Sequence, residues 1–285
     1  MKLYHYTSFD VLKKMLADSI YTDDETSLSY LKLYATHISY LVDKSEFVLY
    51  TDKLKQEVIT FASKQNYILS KSELEILDKL CYPNYYTTSL TDSCENTYMW
   101  ETYGKNFSGI CIEFDFSKTP IFYPRKDKAI GMCTAYESLL NKCQYLDKDD
   151  ITFQESDISR ILGYIISQNL DSKDDIENVI NGASIISWIQ RNAISIKRKA
   201  FHKEQEIRYV VSGKYVLNDI SAELRNHITY FPIPLSAISS IILGSSINSQ
   251  SIIDDITKMV KEKLDISVTI VHSKCKPVLL CITTS

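Results

Sequence analysis

Apolar and polar residues alternate over Leu3 to Thr7, which predicts a short strand, and Ser8 then predicts a cap for a helix with Phe9, Leu12, Met15 and Leu16 on one face. Leu33 to His37 reads as a second strand. Ser45 to Lys64 reads as a helix with Phe47, Leu54, Val58 and Phe61 inward, and Ser72 to Leu80 as a shorter one. Strand patterns return at Tyr86 to Leu90, Ile110 to Phe114 and Gly131 to Tyr136, around a short helix at Asn96 to Tyr103. Asp157 to Ala200 is helical, split by the acidic segment Asp171 to Asp175, and Glu206 to Val211 alternates again. Strands at Ser239 to Leu243, Val268 to Val271 and Val278 to Ile282 surround a helix from Gln250 to Leu264 that Ser249 can cap.

Helices interrupt the strands without the regular alternation of a doubly wound sheet, so the expected class is α+β with a mostly antiparallel sheet. No repeat, low-complexity tract or Pro/Gly/Ser linker breaks the chain, which reads as one domain over 1–285 with a helical insertion at about 140–200.

Composition narrows the chemistry. The 32 basic and 36 acidic residues leave a formal charge of −4, which predicts a soluble protein without a surface that coats polyanions. There are only 7 glycines and 6 prolines in 285 residues, where average usage gives roughly 20 and 14. Gly104 and Gly109 are followed by Ile110-Cys111, not by the Lys-Ser/Thr of a phosphate loop, and there is no G-x-G-x-x-G. A dinucleotide bound here would need another type of site. The seven cysteines form no C-x-x-C, and with five histidines no common zinc spacing can be written, so no metal is expected. The longest apolar run, Val278 to Ile282, is far too short to span a bilayer, and Met1 to His5 runs straight into a strand pattern. The expectation is a cytoplasmic protein with reduced thiols and no membrane partner.

Three segments carry candidate chemistry. In Tyr4-His5-Tyr6-Thr7, the imidazole of His5 and the hydroxyl of Thr7 face the same side of a strand and can meet a sugar; a histidine in an aromatic core has the same pattern. In Phe201 to Arg208, the strand period places Glu204, Glu206 and Arg208 on one face, either as a solvated row or as a site where the guanidinium orients one carboxylate while the other works. Tyr86 to Tyr103 joins a hydroxyl-bearing strand to a helix with Trp100 and Tyr103, whose rings can stack on a flat ligand or fill a core. The only basic cluster, Lys197-Arg198-Lys199 with Lys203, can meet phosphates or complement a helix end.

Together these segments resemble a bacterial family catalogued as a domain of unknown function, whose members open with Tyr-His-Tyr-Thr and carry a later Phe-x-x-Glu-x-Glu-x-Arg strand. The similar stretches include Ala35 to Asp43 with Glu46-Phe47, Ser89, Met99-Trp100, Tyr103, Gly109 to Asp115, Ile241 to Gly244, Ser273 and Pro277. That family in turn resembles the ADP-ribosyltransferase superfamily, in which a first-strand histidine or arginine, a middle-strand Ser or Tyr and a late-strand glutamate surround NAD.

The resemblance implies a split, curved, mostly antiparallel sheet and an NAD-dependent transferase that moves ADP-ribose onto a macromolecule. It implies Glu206 as the catalytic carboxylate, His5 as the first-strand group and Ser89 or Tyr40 as the middle one; Thr7, Trp100 and Tyr103 are then expected beside them as NAD-binding residues. Glu204, Arg208, Lys199 and Lys203 would lie on the acceptor side. The opening strand is similar to that of the nucleic-acid-modifying toxin branch, which favours RNA or DNA slightly over protein as acceptor and implies a toxin or phage-defence effector, with an antitoxin or defence-system partner protein. Two other readings stand beside it: a binding or sensing module that has kept the fold and lost the reaction, and an NAD glycohydrolase in which water replaces the acceptor.

Overall fold

The computed structural model describes residues 1–18, 20–22, 29–41, 43, 47–82, 85–117, 121–124, 130–133, 140–168, 176–212, 228–264 and 268–277. The chain begins with β1 (Lys2–Thr7), α1 (Phe9–Asp18), β2 (Ile20–Thr22), β3 (Ser29–His37), α2 (Val48–Lys64), α3 (Lys71–Leu80), β4 (Tyr85–Thr91) and α4 (Thr97–Thr102). Next come β5 (Ile110–Asp115), β6 (Ile121–Pro124), β7 (Ile130–Cys133), β8 (Leu140–Lys142), β9 (Gln144–Tyr145), α5 (Glu155–Ser167) and α6 (Ile176–Ser195). β10 (Ile196–Lys197), β11 (Glu206–Ser212), β12 (Ile228–Pro234), β13 (Ile238–Leu243), α7 (Gln250–Leu264) and β14 (Thr269–His272) follow. The chain divides into two compact units, one of Met1–His37, Tyr86–Lys142 and Lys203–Ser285, the other of Ile38–Tyr85 and Cys143–His202. The insertion expected at about 140–200 falls almost wholly in the second unit, which also takes in 38–85.

The first unit is built on a sheet in the order β12-β3-β4-β1-β5-β13-β14, with β11 paired to both β4 and β8, and β2 to β3. β12–β3, β3–β4, β4–β1, β1–β5 and β5–β13 are antiparallel, and β13–β14 is parallel. This is the expected α+β class with a mostly antiparallel sheet. β1 and β5 pair continuously from Lys2↔Asp115 to Thr7↔Ile110, whereas β1 and β4 meet at Tyr4↔Thr91. The sheet therefore opens between β1 and β4 beyond that pair.

One sheet face, with Leu3, Leu90, Ile112, Phe114, Ile207, Tyr209 and Leu243, is covered by the apolar sides of α1 and α7 through Leu12, Leu16, Ile256 and Val260. Full burial of such side chains contributes about 1.5 to 3 kcal/mol each. On the other face Tyr6, Cys111 and Ile242 pack with Met99 and Trp100 of α4 and with Phe107. The alternation read in β1 is thus the alternation between these two layers.

In the second unit α2, α3, α5 and α6 pack together, and β9 and β10 form a parallel pair. Tyr50 meets Phe153 and Trp188 edge-on at 5.2 and 6.4 Å between ring centroids. Ser70 caps α3 in a reciprocal box with Glu73, which explains why that helix starts at Lys71.

The structure departs from the sequence pattern at several elements. β3 begins at Ser29, earlier than Leu33, and α2 begins at Val48 after Phe47, whose φ of 70° rules out an earlier start. β12 lacked a strand signal because Pro232 and Pro234 interrupt it, yet it pairs along its whole length with β3. Val278 to Ile282, and Thr134 to Tyr136 of the strand expected at Gly131 to Tyr136, lie outside the described residues.

Candidate active site

β11 begins at Glu206, so Glu206 and Arg208 share one face of it while Ile207 and Tyr209 enter the core opposite. Arg208 grips the carboxylate from the side, its Nε donating to Oε1 at 3.2 Å and its Nη2 to Oε2 at 3.4 Å. Both groups are nearly inaccessible, at 3% for Glu206 and 0% for Arg208. A buried charge of this kind is tolerated because its partner is a fork that matches a carboxylate.

Ser89 of β4 completes the arrangement. Its hydroxyl donates to Glu206 Oε1 at 2.5 Å, a bond between residues 117 positions apart. Its carbonyl accepts from His5 Nδ1 at 3.1 Å, where β4 and β1 have parted. Ser89 thus joins the first and last members of the expected triad, with backbone on one side and side chain on the other. A carbonyl oxygen only accepts, so Nδ1 carries the proton, and burial holds the His5 pKa below its ordinary value against the opposing effect of the Ser89 bond. The neutral ring therefore presents Nε2 as an acceptor to a ligand hydroxyl.

Thr87 and Thr91 lie two residues either side of Ser89 on the same strand face, and their buried hydroxyls meet no protein partner. Buried hydroxyls without partners are costly unless a polar ligand or water meets them. The strip of β4 around Ser89 thus presents hydroxyls that a polar ligand could meet. Thr7 is buried at the end of β1, on the His5 side of that strand.

Glu204 departs from the strand reading. It ends a 3-10 turn, Lys199–Glu204, and Gln205 beyond it has a left-handed backbone with φ 49°, so Glu204 is turned out of the β11 row. Its buried carboxylate accepts instead from the Tyr103 hydroxyl at 3.0 Å, while the Tyr103 ring is 45% exposed. Trp100, expected beside the ligand, is fully buried, with its Nε1 donating to the Cys94 carbonyl and its ring edge-on to Tyr6 at 4.9 Å.

Asn96 is the residue that the sequence did not mark. Its Oδ1 caps α4 by accepting from Met99 N at 3.2 Å, and its Nδ2 donates to the Lys203 carbonyl at 2.7 Å. Its backbone N–H donates to the Tyr6 hydroxyl. Asn before an apolar helix is a cap signal; the second bond has no local signature.

Gly104 and Gly109, read above only as the absence of a phosphate loop, bound a turn in which Lys105, Asn106 and Phe107 all have positive φ. A Cβ on Gly109 would stand 2.5 Å from the Thr7 carbonyl, so glycine is required by the close approach of this turn to β1.

Tyr40 and Lys199 belong to the second unit, where Tyr40 is 55% exposed in the turn Ile38–Tyr40 and Lys199 lies 3.6 Å from Asp150. Lys197 is buried with its ammonium 5.2 Å from the centre of the Phe201 ring, and Arg198 pairs with Asp43 at 2.9 Å. Three of the four cations of the basic cluster are therefore matched locally. Lys203 is exposed.

A family model described as "Protein of unknown function (DUF2971)" matches residues 99–209. The match runs from α4 to β11 and so includes Tyr103, Glu204, Glu206 and Arg208, while His5 and Ser89 lie before it. No curated protein and no solved structure matches the chain. Among the described residues no group of three or more His, Cys, Asp or Glu side chains could hold a metal ion, and no helix is long and apolar enough to cross a membrane.

Proposed function

We propose that this chain is an NAD-dependent ADP-ribosyltransferase with Glu206 as its catalytic carboxylate. The observation that carries the reading is that Ser89 links β1 to β11, its carbonyl accepting from His5 and its hydroxyl donating to Glu206. In the reaction the bond between the ribose anomeric carbon and the nicotinamide nitrogen breaks, and its electron pair leaves with nicotinamide. A nucleophilic atom of the acceptor then bonds to that carbon and gives up its proton. Positive charge builds on the ribose in between, and a carboxylate hydrogen-bonded to the 2′-hydroxyl stabilises that state more than the ground state. Ser89 and Arg208 fix the carboxylate in advance, and His5 Nε2 accepts from a ribose hydroxyl.

The acceptor is proposed to be nucleic acid, on the resemblance of the opening strand and the exposure of Lys203. Incubation with labelled NAD and separate RNA, DNA and protein fractions tests this directly: label in the nucleic acid and release of nicotinamide are expected. The burial of Glu206 and its grip by Arg208 favour a second reading, a module that binds NAD without cleaving it. NAD binding by calorimetry with no nicotinamide release would select that one.

A further inference from the structure

The turn that leads into Glu206 is fastened to α4 at both ends of that short helix. At its start Asn96 Nδ2 donates to the Lys203 carbonyl at 2.7 Å, and past its end Tyr103 donates to Glu204 at 3.0 Å. Lys203 and Glu204 close the 3-10 turn, Gln205 makes the left-handed step, and Glu206 follows. α4 is itself anchored, through Trp100 and Met99, to the sheet face carrying Tyr6, Cys111 and Ile242. Position is therefore passed from the sheet to α4, from α4 to residues 203 and 204, and from there to Glu206.

From the two bonds of its side chain and the short path to Glu206, we propose that Asn96 is a positioning residue for Glu206, one that acts through the Lys203 carbonyl and not through its helix cap. The inference rests on the transferase reading for its kinetic consequence and on geometry alone for its structural one. A carboxylate held in advance is useful only if it lies within a fraction of an ångström of its working place, and displacements of about 1 Å can cost a hundredfold in rate. Gln205 makes this demanding, because a non-glycine residue in the left-handed region lies about 1 to 2 kcal/mol above its right-handed alternative and holds only while its neighbours hold it. The Asn96 bond fixes the chain two residues before that point.

The two jobs of the side chain can be separated. Asn96→Asp keeps an oxygen for Met99 N, and Asp caps helices as well as Asn does. It loses the N–H that meets Lys203, and sets a carboxylate oxygen against a carbonyl oxygen. Asn96→Ser also keeps a cap, and its shorter side chain lacks the amide N–H that meets Lys203, without adding charge.

In Asn96→Asp, amide-exchange protection of α4 is expected to match the parent, while exchange over residues 199–206 becomes faster. The kcat for nicotinamide release is expected to fall about tenfold to a hundredfold with KM unchanged, and Asn96→Ser to follow in the same direction. If the parent releases no nicotinamide, the transferase reading fails and the exchange measurement still decides this proposal. Exchange over 199–206 equal to the parent in both variants overturns it, as does loss of α4 protection in step with that turn, which would make Asn96 a cap only.

Discussion

The Ser89 hydroxyl donates to Glu206 at 2.5 Å, and the same residue's carbonyl receives the His5 ring. One serine thus determines how the carboxylate of β11 stands relative to the strand that opens the chain. The consequences of that link are testable residue by residue.

Ser89→Ala removes a hydrogen bond to a charged group, worth about 1.5 to 3 kcal/mol. Nicotinamide release is expected to fall roughly tenfold to a hundredfold in kcat, with the melting temperature lowered and the fold retained by circular dichroism. Glu206→Gln is expected to cost about a hundredfold to a thousandfold in rate. It also leaves the buried Arg208 facing an amide, so it should melt earlier than the parent. Full activity in either variant removes that residue from the mechanism.

His5→Ala should weaken NAD binding in calorimetry more than it slows turnover of bound NAD, since a ribose contact made equally in ground and transition states mainly sets KM. The pH dependence follows from the direction of the shift. With its proton uptake held below the ordinary value of about 6.5, His5 stays neutral through neutral pH, and Nε2 stays an acceptor. Affinity is expected to be flat above pH 7 and to fall only once the pH drops below 6.5; affinity that rises on acidification would assign the ring a donor role.

Glu113 makes the fold sensitive to acid. Burial favours its neutral form, but Lys2 Nζ at 2.8 Å, Ser239 Oγ at 2.5 Å and Tyr4 outweigh burial and hold its pKa below the ordinary carboxylate value. Glu95, which accepts from Lys274 N, Cys275 N and Ser273 Oγ, is likewise shifted down against burial. A carboxylate with a lowered folded-state pKa contributes stability that is present above its unfolded value and lost as the pH falls toward its folded one. Melting temperature should therefore drop below about pH 4.5, and Glu113→Gln should be less stable at pH 7 with a shallower decline in acid. Parallel curves for parent and variant would show that Glu113 contributes nothing to the acid limb.

Lys203 is the test of the acceptor. Lys203→Gln should reduce labelling of single-stranded nucleic acid most at moderate salt, lowering the slope of log affinity against log salt by about 0.7. Basal NAD hydrolysis should be spared. Arg198→Gln, which breaks the pair with Asp43, is expected to leave the slope unchanged. Label found only in the protein fraction would replace the nucleic-acid reading with a protein acceptor.

What the sequence made legible follows the range of the forces involved. Period two identified β1 and β11, because successive side chains of a strand enter opposite layers and the sequence records that alternation. The same rule misplaced Glu204, since Gln205 takes a left-handed backbone without a glycine to announce it. It passed over β12, where Pro232 and Pro234 hide a strand whose pairing is nonetheless complete. Trp100 looked available because aromatics are equally at home in sites and cores, and here burial took it. The bond from Ser89 to Glu206 spans 117 positions, so no local pattern encodes it, and only the order of residues in a resembling superfamily pointed there. The second bond of Asn96 lies beyond both kinds of signal.

The left-handed step at Gln205 has a bearing on how this stretch can vary. A position that holds φ 49° tolerates only side chains that adopt this region at low cost. If codon 205 were randomised and folded variants selected, glycine, asparagine and aspartate should accumulate and valine, isoleucine and threonine should vanish. The middle letter of Glu-x-Glu would then be free in chemistry and restricted in shape.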